Sequence, residues 1–284
     1  MNTPMRLIRS AVAVVIALTV SATAISTAQA EEEKSALGEI QKRGILKVAL
    51  YKNYPPFSND NKGADADLAA ALAAKLGVKL SVLWFDAGEN MEDDLRNMVW
   101  KGHYLGYGPA DVLMHAPIDR AYMAKNDKVK FFAPYHRERY AVARNIEQIA
   151  LLENFDAFEK LPLGIEGDTL AAKVMLTAND GRIRDMVRPF KTAYEAIAAL
   201  KAGTVSGVIA QQGELEAGLA GDKRFAIDLP PDQIMKMRQW PMGLAVKAES
   251  VDLEKALQQA MKDLTDDGSV SKIMAKNGIV YRAP

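Results

Sequence analysis

The 284-residue sequence predicts an α/β fold with parallel sheets and helices on both faces. Three observations carry that expectation. Short β-rich apolar runs alternate with segments of helical periodicity along almost the whole chain. Glycines close several helical segments, as at Gly77 and Gly203. Helical and strand segments stay interleaved to the end, rather than falling into separate blocks, which favours βαβ units.

The elements follow in order. Residues 1–30 read as a secretory signal: Arg6 and Arg9 open it, an apolar run covers 11–20, and Ala28-Gln29-Ala30 supplies a small-x-small cleavage pattern. That run is shorter than the roughly 20 residues a bilayer span needs. Cleavage after Ala30 releases a chain with no further membrane insertion and places it in the periplasm. Residues 31–39 form a lead-in helix and Ile45 to Leu50 a first strand. Tyr54-Pro55-Pro56-Phe57 breaks into a loop, because neither proline can donate to a ladder. Helical spacing of Leu68, Ala69, Leu72, Ala73 and Leu76 predicts a helix over 65–76. A strand over 78–85, a helix over 91–100 and a strand over 111–114 come next. Residues 129–135 and 139–143 read as two separate strands. The second series predicts strands at 163–165, 205–210 and 242–246. Its helices fall at 170–176, 194–202, 213–219, 252–265 and 269–276.

Composition excludes several functions. Lys plus Arg equals Asp plus Glu at 36 each, a balance that offers nothing to nucleic acid or an anionic membrane. With no cysteine, the chain has no disulfide, thiolate metal site, cysteine nucleophile or lipidated cysteine. No Gly-x-Ser-x-Gly elbow or zinc-type histidine motif is present, so the chain reads as a binding protein and not an enzyme, with no cofactor and no metal. His103, His115 and His136 are irregularly spaced and read as ordinary hydrogen-bonded histidines. Gly102 to Pro109 is glycine-rich but lacks the Gly-Lys-Ser/Thr ending of a phosphate loop, and reads as a surface turn.

Six short patterns stand in order along the chain: Ile40 to Ala49, Tyr54-Pro55-Pro56-Phe57-Ser58, Asp65 to Gly77, Phe132-Ala133-Pro134-Tyr135, Leu163 to Thr169, and Asp267 to Ile273. In this order they resemble the family 3 solute-binding proteins, which include amino-acid receptors of ABC transporters. The resemblance implies a type II periplasmic-binding-protein fold: two α/β lobes joined by a two-segment hinge. Lobe one would hold residues 36–139 plus 240–284, and lobe two residues 140–239. The hinge would run near 139–143 and 240–244, with a small-molecule ligand closed between the lobes and an ABC permease as partner.

The resemblance also implies the candidate ligand residues: Tyr54, Phe57, His115, Arg120, Thr169 and Gln211. Arginine would clamp a ligand carboxylate through its planar fork, which makes Arg120 the candidate for an anionic group. Thr169 starts a helix whose amides favour anions. Gln211 and Gln212 stand where the family's receptors place an aspartate for the ligand ammonium. That departure, with Asp111-Val112-x-Met114-x-x-Pro117 and Pro134-Tyr135-His136-Arg137, is similar to the J-type periplasmic proteins associated with PQQ-dependent methanol and alcohol dehydrogenases. The alternative they imply is an accessory protein whose partner is a periplasmic quinoprotein dehydrogenase.

Overall fold

The computed structural model describes residues 35–284 except 89, 232, 233 and 236–238. The signal expected over 1–30 lies outside the described residues, as does the start of the lead-in helix. The helix that is described, α1 (Ala36–Arg43), runs further than the expected end at residue 39. It turns its single fully buried side chain, Ile40, onto the core, and ends where Gly44 takes a φ of 69° and returns its N–H to the Ile40 carbonyl.

From there the chain builds β1 (Ile45–Tyr51), α2 (Ala64–Lys75), β2 (Lys79–Phe85) and α3 (Met91–Leu95). A π-helical turn over Arg96–Trp100 follows α3, splitting the single helix expected over 91–100. Next come β3 (Val112–Pro117), α4 (Arg120–Lys125) and β4 (Val129–Asn145). The two strands expected at 129–135 and 139–143 are one 17-residue strand, because Ala133 (φ 48°) absorbs a register shift without ending the ladder. β5 (Leu163–Glu166), α5 (Leu170–Met175), β6 (Val187–Phe190), α6 (Ala193–Lys201), β7 (Gly207–Gln211), α7 (Gln212–Leu219) and β8 (Phe225–Asp228) form the middle of the chain. β9 (Gln239–Lys247), α8 (Val251–Asp266) and α9 (Ser269–Lys276) close it. The short elements α4, β6 and β8 carry too few periodic residues to be read from sequence.

The strands join in the order β2-β1-β3-β9-β4-β7-β5-β6, with β8 on β4. The sheet is mixed and not all-parallel. β1, β2 and β3 are parallel, as are β5, β6 and β7, but β9 is antiparallel to both β3 and β4, and β4 is antiparallel to β7 and β8. β4 is the strand that links the two sets. Its residues up to Arg139 pair with β9, and those from Tyr140 onward pair with β7 and β8. The apolar cores follow the same division. Two clusters draw only on residues 36–135 and 240–281, built on Leu46, Leu68, Leu72, Leu257 and Met98. Two others draw only on residues 140–235, built on Phe155, Phe158, Ile165, Ile197 and Leu215. Burying such side chains contributes about 1.5–3 kcal/mol each. Among the described residues no helix is long and apolar enough to cross a membrane.

Candidate functional site

The site is assembled where β1, β3 and β4 meet the end of β7. After β1 the chain makes a tight turn in which Tyr54 and Ser58 exchange backbone hydrogen bonds of 2.8 Å, and Ser58 Oγ donates to the Tyr51 carbonyl at 2.7 Å. Gly63 allows the return. A Cβ at that position would lie 2.2 Å from the Phe57 carbonyl oxygen, so no other residue lets the chain pass so close. The first amides of α2 then cap the turn, Ala64 to the Pro56 carbonyl and Asp65 to the Phe57 carbonyl. Tyr54 and Phe57 are thereby fixed beside the carboxylate of Asp65.

Asp65 is fully buried and both of its oxygens are used. Oδ1 accepts from the Tyr135 hydroxyl at 2.6 Å, and Oδ2 is 2.8 Å from Nδ1 of His115. The Tyr135 hydroxyl in turn accepts from the His115 backbone N–H at 3.1 Å. His115 reaches this position because β3 shifts register between Leu113 and Ala116, with His115 itself at φ 61°. Bulges of this kind re-aim a side chain within a strand. The imidazole lies 4.4 Å from the Phe57 ring and 4.8 Å from the Tyr54 ring, the latter perpendicular.

Gln211 faces this group from the end of β7. Its Oε1 accepts from the Tyr54 hydroxyl at 2.8 Å, and its backbone N–H donates to Glu214 at 3.1 Å. Beside it the Gly213 amide points at the carboxylate of Glu138 at 3.3–3.4 Å, and Arg139 Nε donates to Gln212. Gly213 is a close-approach position: a Cβ there would sit 2.8 Å from Glu138 Oε2 and 3.0 Å from the Phe57 ring.

The junction gathers two buried carboxyls whose ionised form burial disfavours. Glu138 is fully buried, and burial pushes its carboxyl up to about 7 although the Arg139 amide and the Arg282 guanidinium oppose the rise. Burial likewise pushes Glu214 up to about 8, with Glu166 and Glu138 adding to it. The Tyr54 hydroxyl is held well above its usual range by burial, then by Glu214 and Glu138. His136, on the same strand face as Glu138, is driven down to about 3 by burial and by Arg282 beside it, so it stays neutral. Arg282 comes from the C-terminal tail. It donates to Glu216 of α7 at 2.7 Å and to the Arg137 carbonyl at 3.2 Å, and stands 3.7 Å from Glu138.

Of the six candidate residues, the structure brings together Tyr54, Phe57, His115 and Gln211. Arg120 stands apart, exposed at the start of α4. Thr169 caps the short helix α5, its hydroxyl accepting from Ala172 N and donating to the Glu166 carbonyl, so both roles are used locally. Asp65, Tyr135, Glu138, Glu214 and Arg282 escaped the sequence reading. Asp65 left a signal: it shares the i, i+3, i+4, i+7 stripe of Leu68, Ala69 and Leu72, where an acid must find a buried partner. Glu138 and His136 left a weaker one, two residues apart on one strand face. His103 stacks on Tyr107 and Tyr104 in an exposed turn. Among the described residues no group of three or more His, Cys, Asp or Glu could hold a metal ion.

No family model matches the sequence, and no curated protein matches it. Solved structures do. An ancestral cationic amino-acid solute-binding protein, AncCDT-1, is similar at a TM-score of 0.69 and 21% identity, over 86% of this chain and 100% of that one. A second structure of AncCDT-1, described as a precursor of cyclohexadienyl dehydratase, is similar at 0.61 and 21%, over 86% and 100%. An amino-acid ABC transporter substrate-binding protein from Streptococcus pneumoniae, bound to L-arginine, is similar at 0.61 and 20%, over 86% and 98%. Likeness at this identity establishes the fold: the chain has the type II periplasmic-binding-protein architecture.

Proposed function

We propose that the chain is an exported solute-binding protein that closes on a small polar solute in the periplasm and presents it to an ABC permease. The moving bodies are lobe one, residues 36–139 with 240–284, and lobe two, residues 140–239. The observation that carries the reading is the facing pair of surfaces at the strand ends. Tyr54, Phe57 and His115 stand on one side and Gln211 on the other, with the Tyr54 hydroxyl bonded across. Ligands of open α/β sheets bind at such carboxyl ends. The described cargo of the similar proteins, amino acids and cationic amino acids, agrees with this reading.

The geometry bears on the solute's charge. Arg120 lies outside the cluster, and the groups around Tyr54 are Asp65, Glu138 and Glu214. A carboxylate-clamping role for Arg120 has no support from this placement, so we carry forward a polar and not an anionic solute. Binding, and not catalysis, is the reading because most polar atoms of the cluster are engaged with one another and the Tyr54 hydroxyl joins the two surfaces.

The test is a thermal-shift and calorimetric screen of the purified chain against amino acids, amines, organic acids and sugars. A solute present at 100 times its Kd should stabilise the protein by about 2.7 kcal/mol. Affinity capture from periplasm should then recover a permease complex. Recovery of a quinoprotein dehydrogenase instead, with no stabilising solute, would replace this reading with the accessory one drawn from the Asp111 to Pro117 pattern.

A further inference from the structure

We propose that Nε2 of His115 is the recognition atom of this site, and that it accepts a hydrogen bond from an N–H of a solute carrying an ammonium, amidinium or guanidinium group. The proposal rests on the solute-binding reading and names its chemistry.

His115 is 7% exposed, yet its Nε2 is buried without a hydrogen-bond partner, alone in this among the described residues. A buried polar atom left unpaired raises the free energy of the folded state, and native proteins rarely keep one without use for it. The rest of the residue is committed. Nδ1 is taken by Asp65, the backbone N–H is taken by Tyr135, and Tyr135 itself donates to the second Asp65 oxygen. This arrangement fixes the ring plane and the tautomer together, as a carboxylate does for a metal-bound histidine. With Nδ1–H donating to the carboxylate, Nε2 is the ring atom left over, and in the Nδ1–H tautomer it carries the lone pair. Such an atom accepts; it does not donate to a carboxylate.

The surroundings select the same chemistry. The Tyr54 and Phe57 rings beside the imidazole offer π faces, which attract cations. Glu214 on the facing side and Glu138 on β4 are acids near Tyr54, and the Arg282 guanidinium is already committed to Glu216. Tyr54 packs perpendicular to the imidazole at 4.8 Å between ring centroids and its hydroxyl is held by Gln211, and in the proposed binding step this ring turns aside when that hydrogen bond is released. Tyr54 is thus the gate, and the solute's N–H takes up the unpaired lone pair as the gate ring turns aside.

His115→Asn separates the roles. The asparagine amide keeps a donor where Nδ1 stands, tolerates the φ of 61°, and removes Nε2. The probes are L-arginine, L-lysine, agmatine, putrescine and benzamidine, with succinate, glutarate and glucose as compounds lacking N–H. Calorimetry on the chain from residue 31 should show a base-bearing probe binding to wild type. His115→Asn should weaken it at least tenfold without moving the urea midpoint, and His115→Gln, which restores an acceptor near Nε2, should recover part of the loss. In 15N spectra of imidazole-labelled wild type, the Nε2 resonance of His115 should shift on probe addition while Nδ1 stays protonated. That measurement decides the matter if the asparagine variant does not fold. Binding of a base with no loss in His115→Asn, an unmoved Nε2 resonance, or binding only of the probes lacking N–H overturns the inference and leaves solute binding standing. No binding of any probe to wild type overturns both.

Discussion

Replacing Glu138 with glutamine should remove a large part of the stability that the wild type loses between pH 5 and pH 8. Glu138 lies on β4 where the strand passes from β9 to β7, fully buried. Its carboxyl titrates near 4.5 in the unfolded chain and at about 7 in the folded one, because burial outweighs the Arg139 amide at 2.7 Å and the guanidinium at 3.7 Å. Below pH 4.5 both states are protonated and the group costs nothing. As pH rises to 7 the unfolded state ionises first, so it binds fewer protons and stability falls. The gap from 4.5 to about 7, at about 1.4 kcal/mol per tenfold change in proton affinity, amounts to about 3 kcal/mol. Glutamine keeps a carbonyl to accept from the Arg139 and Gly213 amides and carries no charge at any pH. Urea unfolding at pH 5, 6, 7 and 8 should give a variant-minus-wild-type difference that grows by about 3 kcal/mol across the series. The remaining slope in the variant belongs to Glu214, whose carboxyl is raised to about 8. A difference that stays constant with pH would refute the argument that burial controls Glu138.

Two further perturbations probe the contacts across the junction. Tyr54→Phe deletes the hydrogen bond to Gln211, a net loss of about 1 kcal/mol, or roughly fivefold in an opening equilibrium. Hydrogen exchange at the amides of residues 211–213 should speed by that factor while β5 is unaffected; uniform or absent change would sink the gate. Arg282→Ala strips Glu216 and Glu138 of their shared cation, with side chains only 9% and 0% exposed. Leaving such acids unpaired should cost about 3 kcal/mol in urea at pH 8, and a loss under about 1 kcal/mol would show that the tail does not tie α7 to β4.

Much of the site was beyond a linear reading for an identifiable reason. Tyr54 and Phe57 were reached through the resemblance of their proline-containing loop to the family's, and Gln211 through its standing where the family's receptors place an aspartate. Nothing local distinguishes Arg282, six residues past the end of α9, from any other basic residue of a tail, and its importance comes from meeting Glu216, 66 positions away. Arg120 shows the converse: a residue type suited to a carboxylate, at a plausible spacing, that the start of α4 holds out in solvent.

The sequence by itself determined the alternation of strands and helices and the main helix faces, because side-chain periodicity is a property of neighbours in the chain. It also carried enough ordered pattern for its resemblance to point to the type II periplasmic-binding-protein fold. Only the tertiary structure decided that β4 runs unbroken through both sets of strands, that the sheet is mixed, and that a register shift in β3 turns His115 toward Asp65. Those outcomes depend on which distant segments pair and at what offset, and pairing energies between remote strands leave no mark on the composition of either strand alone.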